Sequence, residues 1–277
     1  MEMSSGLISV LPGLFGMVAF YFLATPLIIM ASMKIKAAPT IERMDPAQWP
    51  PAVAEEMRRH EHDLYNMGFE ISERFSMVGA ASNVATLLTM FIDRKSGDKA
   101  MLTAMWGQAN GVWKLTTIYL EFSTRFRDGR CFDTMNSKQP TGTFVQGPQE
   151  VKTQVPQVKD ARELYRVHLY IMRKNGATGG AAEKMTYPPG GAENYLKRIW
   201  RESHDEQVGF GRLNYNKTKE LYTPTLPGAY LMTWRLLWPM SQIIRAKMNK
   251  KAAVIVAEMR QSAGEIGESA LAGSPVV

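Results

Sequence analysis

The side chains best suited to chemistry in this sequence are four histidines and one cysteine. His60 and His62 lie in the motif HEHD, residues 60–63. Helical positions separated by two residues point about 200° apart, whereas a zinc-binding pair on a helix needs positions i and i+4. The spacing therefore favours a solvated helix face over a metal site.

His168 lies in a segment with strong helix signals. The apolar residues that share its helical face are Leu164, Val167 and Ile171. This pattern favours a hydrogen-bonded core histidine, with a general base as the alternative.

Cys131 is the only cysteine, so an intramolecular disulfide is excluded. The neighbouring Arg130 could lower the pKa of the thiol, but the sequence places no histidine or acid to complete a nucleophilic pair. A buried structural thiol is favoured. The sequence also contains no Walker A loop, dinucleotide fingerprint or GxSxG motif. We therefore predict no catalytic, cofactor-binding or metal-binding residue and no cofactor, and we lean towards a protein that is not an enzyme.

The composition is typical of a folded, basic protein, with 45% hydrophobic residues and a formal net charge of +7. A positive charge favours acidic partners such as phospholipid head groups or nucleic acid. The basic residues are spread along the chain, and neither RFRDGR (125–130) nor YLKRIWR (195–201) forms a long basic stripe. We therefore expect anionic phospholipid head groups as partners and no nucleic acid.

The N-terminal segment favours a membrane anchor. After a short segment, residues 1–6, residues 7–33 carry no charge and are long enough for a single transmembrane helix. The apolar run is too long for a cleaved signal peptide, which favours a signal anchor. Lys34, Lys36 and Arg43 follow, so the positive-inside rule places the bulk of the chain in the cytoplasm. A periplasmic domain is the alternative if this orientation is wrong.

The rest of the chain predicts an α+β domain over residues 51–262, after a proline-punctuated linker at 34–50. A helix is expected to begin at Pro51 and end near Gly68, and a second to begin after Asp160 and end at Asn175–Gly176. A shorter helix is expected over 192–201. Residues 263–277 are predicted to form a disordered tail.

Between the first two helices, the chain predicts an antiparallel sheet of about five strands covered by helices. Asp128–Gly129 predicts a hairpin, because both residues tolerate positive φ. The expected strands are 69–75, 83–93, 99–106, 114–126 and 131–136.

A long amphipathic helix is predicted near 228–257, with a bend at Pro239. No acidic residue occurs from Leu221 to Ala257. Three interpretations stay open: a second transmembrane helix, a helix packed on the sheet, and an interfacial helix, which we favour. The residues predicted to contact the membrane surface are Trp234, Arg235, Trp238, Arg245, Lys247, Lys250 and Lys251.

Three stretches resemble a set of uncharacterised bacterial single-pass membrane-anchored proteins that have no assigned activity. They are EFSTRFRDGRCFDTMN (121–136), ELYRVH (163–168) and TLPGAYLMTWRLLWP (225–239). The resemblance implies a bacterial inner-membrane protein in which these stretches form one domain, and it implies no catalytic residue.

Together, these observations predict a membrane-anchored, non-catalytic interaction or accessory subunit that presents its α+β domain at the inner membrane surface. Its expected partners are the lipid bilayer and another membrane protein. The alternative is a membrane-bound enzyme or carrier that acts on an amphipathic, lipid-like ligand.

Overall fold

The structure is a computed structural model that describes residues 16, 20–78, 84–109, 112–139, 146–177 and 179–272. The chain divides into two compact units. Unit 1 contains residues 1–38, 142–145 and 199–242, and unit 2 contains residues 39–141, 146–198 and 243–277.

Unit 2 is built on a seven-stranded sheet with the strand order β2-β3-β4-β5-β6-β7-β8. The predicted α+β class and the five predicted strands, now β3 to β7, are confirmed. The strands are β2 (Thr40–Arg43), β3 (Glu70–Val78), β4 (Val84–Ile92), β5 (Lys99–Ala109), β6 (Val112–Arg125), β7 (Cys131–Met135) and β8 (Glu150–Gln154).

Two features of the sheet differ from the prediction. Edge strands β2 and β8 bring the number of strands to seven, and β8 pairs with β7 in parallel, so the sheet is mixed. β2 lies in the predicted linker, where Pro39 and Pro46 obscure a four-residue strand. β8 is a five-residue edge strand in a Pro- and Gly-rich region, which gives too few alternating residues for a clear strand signal.

The predicted hairpin joins β6 to β7. The backbone N–H of Phe126 donates to the carbonyl of Arg130. Gly129 has φ of +95°, a conformation that glycine adopts without steric cost. The hairpin sets Arg125 opposite Cys131 and Ser123 opposite Asp133.

Three helices contribute to the core of unit 2: α2 (Pro51–Tyr65), α3 (Ala161–Lys174) and α6 (Met240–Ala272). The start of α3 is confirmed, because the carboxylate of Asp160 accepts a hydrogen bond from the N–H of Glu163 at 2.7 Å. The core includes Met57, Leu64, Phe69, Phe91, Phe122, Leu164, Ile171, Ala252, Ile255 and Met259.

Unit 1 contains a small three-stranded sheet with the order β1-β10-β9. Its strands are β1 (Ile35–Lys36), β9 (Leu213–Asn216) and β10 (Leu221–Pro224), and its helices are α1 (described over 20–32), α5 (Leu226–Leu236) and residues 199–209 of α4 (Ala192–Gly209). The ring of His204 stacks on Tyr222, whose hydroxyl donates to Asp205 at 2.6 Å. The predicted linker thus contributes strands to both sheets.

Part of the predicted transmembrane helix at 7–33 lies outside the described residues, which omit 7–15 and 17–19 but include 16 and 20–33. Among the helices that the structure describes, none combines the length and the apolar character needed to cross a bilayer, so the N-terminal anchor is not supported there.

The single amphipathic helix predicted near 228–257 is wrong. Two helices, α5 and α6, occupy this region, with Leu237, Trp238 and Pro239 between them. Proline has no backbone N–H and clashes with the preceding helical turn, so its effect is stronger than the predicted bend. α6 then continues to Ala272, through residues 263–272 of the predicted tail.

Candidate membrane-contact and ligand-binding surfaces

α5 carries a row of exposed large apolar side chains, which we call the aromatic stripe. Leu226, Tyr230 and Trp234 are 46%, 41% and 49% exposed, and their spacing of four residues places them on one helical face. The side of α5 that carries Ala229 and Met232 is buried. α5 therefore exposes its larger apolar residues and buries smaller ones.

The start of α5 is fixed by close backbone contacts. The hydroxyl of Thr225 accepts from the N–H of Gly228 at 3.1 Å and donates to the carbonyl of Gly211 at 2.7 Å. A Cβ atom at position 228 would lie 2.0 Å from the carbonyl oxygen of Arg212, so only glycine fits there. This anchoring sets which face of α5 is exposed.

The aromatic stripe touches α1. The rings of Phe22 and Trp234 are 5.9 Å apart between centroids. α1 is itself rich in exposed apolar side chains, including Phe20, Leu23 and Ile28. The apolar surfaces of the two helices therefore meet at Trp234.

The structure places the other two predicted residues of unit 1 differently. Trp238 follows α5 and is 76% exposed. Arg235 is only partly exposed, and burial, together with the charge of Arg212, lowers the pKa of its guanidinium. Arg235 is thus less available to lipid head groups than the sequence predicts.

In unit 2, α6 packs on the core through one row of buried side chains and leaves a groove on either side. The buried row is Ala252, Ile255, Val256 and Met259. The packed-helix interpretation therefore describes the middle of α6, while its N-terminal part carries most of the exposed basic residues.

One groove, which we call the lysine groove, has a volume of about 580 Å³. β8, α3 and α6 contribute its walls. Its lining combines an apolar floor with a basic rim, and includes Val151, Ile171, Lys247, Lys250, Lys251 and Val254.

Charges in the lysine groove are unevenly balanced. Lys174 forms an ion pair of 2.6 Å with Glu258, which also accepts from the hydroxyl of Tyr170. The ion pair raises the pKa of Lys174 and, with the tyrosine hydrogen bond, lowers that of Glu258. Within the described part of the chain, the structure shows no ion pair for the three rim lysines: Lys247, Lys250 and Lys251.

The groove on the other side of α6 has a volume of about 680 Å³ and is lined by residues that include Lys138, Arg245, Ala253 and Arg260. Arg245 donates to the side-chain oxygen of Gln139 at 3.4 Å. The structure thus brings the three predicted lysines together and places Arg245 apart from them.

A buried polar network, which the sequence does not predict, surrounds Asp98. Its carboxylate accepts from the ammonium of Lys184 at 2.6 Å and from the hydroxyls of Thr124 and Tyr165. Burial opposes ionisation of Asp98, but these hydrogen bonds outweigh it and hold its pKa below the ordinary value. Asp98 is therefore an ionised, fully paired group.

His168 extends this network and is completely buried, as predicted. Because Thr124 gives its hydroxyl proton to Asp98, its oxygen accepts from Nε2–H of His168 at 2.9 Å. Nδ1 then accepts from the hydroxyl of Thr134 at 3.0 Å. Burial lowers the pKa of His168 to about 4, so the ring is neutral. With no exposed edge, it serves packing rather than general-base chemistry.

Cys131, Asp133 and Glu150 lie on the face of the sheet away from His168. One ligand-type atom of each lies within 4.8 Å of the others. Burial and the charge of Asp133 raise the pKa of the Cys131 thiol, while Glu150 forms an ion pair of 2.6 Å with Lys152. Burial also raises the pKa of Glu121 to about 8, with Asp133 adding to the effect. A protonated thiol and a paired carboxylate are poor metal ligands, so the arrangement favours a charge-balanced polar cluster.

Comparisons with protein-family models, with curated proteins and with solved structures found no match to this chain. The function is therefore inferred from the surfaces themselves.

Proposed function

We propose that this chain is a membrane-associated, non-catalytic interaction protein, an accessory subunit that holds its α+β unit beside the bacterial inner membrane. The observation that carries the proposal is the aromatic stripe on α5, which adjoins the apolar surface of α1 through Trp234 and Phe22. A contiguous exposed apolar surface is a typical membrane or protein contact site, and tryptophan favours the bilayer interface.

The anchor and the orientation are parts of the same proposal. The uncharged segment 7–33 is proposed to hold the chain in the bilayer. Lys34, Lys36 and Arg43 support a cytoplasmic location for the residues that follow. Tethering raises the local concentration of lipid around α5, so even a weak surface affinity would be realised.

A non-catalytic role is supported by the state of the groups that could react. The imidazole of His168 and the carboxylate of Asp98 are buried and hydrogen-bonded, and the thiol of Cys131 is buried. The surfaces described above as exposed are apolar or basic instead. Such surfaces suit contacts with lipid and with another membrane protein, which we propose as the partner.

The test is quenching of tryptophan fluorescence by lipids brominated on their acyl chains, with the full chain reconstituted in phosphatidylcholine vesicles. Brominated lipid should quench a smaller part of the tryptophan emission in Trp234→Phe and in Trp238→Phe than in the wild type, so each variant should show a smaller loss. Trp49→Phe is the matched control, because Trp49 is only 5% exposed and its removal should leave that loss unchanged. If the double variant Trp234→Phe/Trp238→Phe is quenched as strongly as the wild type, the proposal fails.

A further inference from the structure

The lysine groove has the dimensions and lining of a ligand site. Its volume of about 580 Å³ lies within the roughly 300–1,000 Å³ that is typical of small-molecule pockets. Val151 and Ile171 supply apolar walls from β8 and α3, and Val254 adds one from α6. A hydrocarbon chain placed there would leave water for an apolar surface.

The rim lysines give one end of the groove a positive charge. Lys247 lies three residues from Lys250 and four from Lys251, so the three ammonium groups share one side of α6. Like charges at these spacings repel one another, and in the described part of the chain no carboxylate forms an ion pair with them. An anion bound there would remove the repulsion.

The other end of the groove is neutral overall. Glu258 neutralises Lys174 and is held by Tyr170. At 1.5 Å per residue, the eleven positions from Lys247 to Glu258 span about 17 Å along α6, with Val254 between them. The groove thus has a cationic end, an apolar middle and a polar end of balanced charge.

We propose that the lysine groove binds an amphiphile with one acyl chain and one anionic head, of the fatty acid class. The carboxylate lies among Lys247, Lys250 and Lys251, and the acyl chain lies along Val254 and Val151. This site belongs to unit 2 and does not depend on contact between α5 and the bilayer.

The experiment uses the full chain reconstituted in neutral phosphatidylcholine nanodiscs and a long-chain fatty acid with a photoreactive diazirine on its acyl chain. After illumination, mass spectrometry locates the labelled peptides. We expect label on the peptides that contain Val151 and Val254. Unlabelled oleate should compete for the site, whereas oleyl alcohol, which has the same chain without the charge, should not.

Two matched triple variants separate the site from general electrostatics. Lys247→Gln/Lys250→Gln/Lys251→Gln should reduce labelling about tenfold or more, since each basic residue near an anion contributes to the affinity. The control removes three exposed lysines elsewhere, as Lys95→Gln/Lys217→Gln/Lys219→Gln, and should label like the wild type.

A third variant tests the apolar lining of the lysine groove without disturbing the core. Val254 is 51% exposed, so Val254→Gln should fold normally yet weaken labelling. Competition by a single-chain lysophosphatidate would support the same chemistry with a phosphate head. Equal labelling of the two triple variants would overturn the proposal, as would displacement of the probe by poly-glutamate but not by oleate. Trp234→Phe should leave labelling unchanged, which keeps this result independent of the membrane proposal.

Discussion

α5 and α6 lie in a region of the sequence that contains no acidic residue between Leu221 and Ala257. The two helices nevertheless expose different kinds of side chain. α5 buries Ala229 and exposes Trp234, whereas α6 buries Ile255 and exposes Lys250. In each helix the buried residues are those that fit the neighbouring elements. Basic and aromatic residues that look like one amphipathic face in sequence are thus divided between two units.

The same contrast holds for lysine itself. Lys184 is 6% exposed and donates to Asp98, whereas Lys251 is exposed at the groove rim. The buried ammonium of Lys184 depends on the carboxylate of Asp98 for its stability, whereas the exposed ammonium of Lys251 is solvated by water. The buried lysine therefore serves the fold, whereas the exposed lysine at the groove rim is available for binding.

The largest effect is expected for Asp98→Ala. This change leaves the ammonium of Lys184 buried without its carboxylate, and removing one partner of a buried ion pair costs about 3–5 kcal/mol. Urea denaturation of the full chain should show this loss in the free energy of unfolding. Lys251→Gln, the control at the groove rim, should leave stability within about 0.5 kcal/mol of the wild type.

The free energy of unfolding should depend on pH because of His168, whose pKa falls from 6.5 to about 4 on burial. Below pH 6.5 the unfolded chain binds a proton at His168, whereas the folded chain binds this proton only when the pH falls to about 4. Acidification across this range therefore lowers the free energy of unfolding, by about 3 kcal/mol at 1.4 kcal/mol per pKa unit. The stabilising contribution is complete above pH 6.5 and lost as the pH falls towards 4.

This dependence is measured by urea denaturation of the wild type and His168→Gln at several pH values between 6.5 and 4. The free energy of unfolding is plotted against pH for both proteins. The difference between the two slopes gives the contribution of His168 separately from that of Glu121, whose raised pKa acts in the opposite direction. Identical slopes for His168→Gln and the wild type would contradict a neutral buried ring.

A smaller effect distinguishes the two sides of α6. Val256 is 5% exposed and Val254 is 51% exposed, so the same substitution to alanine tests burial directly. Val256→Ala should lower the free energy of unfolding by about 1–2 kcal/mol, because it removes buried methyl groups. Val254→Ala should cost less than about 0.5 kcal/mol, and equal losses would show that α6 does not pack as described.

The smallest effect sharpens the contrast between the two surfaces. Raising sodium chloride from about 0.1 to about 1 M shortens the range of electrostatic interactions from about 10 to about 3 Å. Photolabelling of the lysine groove should fall several-fold, while quenching of Trp234 by brominated lipid should not weaken. A parallel decline of both signals would mean that α5 is held to the membrane by charge.

Local signals in the sequence were enough for much of unit 2. The strand predicted at 114–126, the Asp128–Gly129 turn and the Asp160 cap each depend on neighbouring residues, and the structure confirms all three. The buried position of His168 followed from its apolar face for the same reason. Periodicity and capping are properties of short segments, so they can be read without the tertiary fold.

Features that depend on distant residues could not be predicted. Asp98 and Lys184 are 86 positions apart, and nothing local marks them as partners. β8 is a short edge strand whose parallel partner is β7, so its pairing is set by tertiary contacts. Arg245 and Lys247 are close in sequence but line different grooves, because the direction of each depends on what α6 packs against.

The most direct test places one environment-sensitive fluorophore on each helix of the full chain. Cys131→Ser removes the native thiol, and Tyr230→Cys or Lys250→Cys then supplies a single labelling site on α5 or α6. In phosphatidylcholine vesicles, we predict that the label at 230 emits at shorter wavelength and is quenched by brominated lipid, while the label at 250 remains in water. Emission typical of water from position 230 would contradict the proposed membrane contact of α5, whereas equal lipid quenching at both positions would contradict the contrast between α5 and α6.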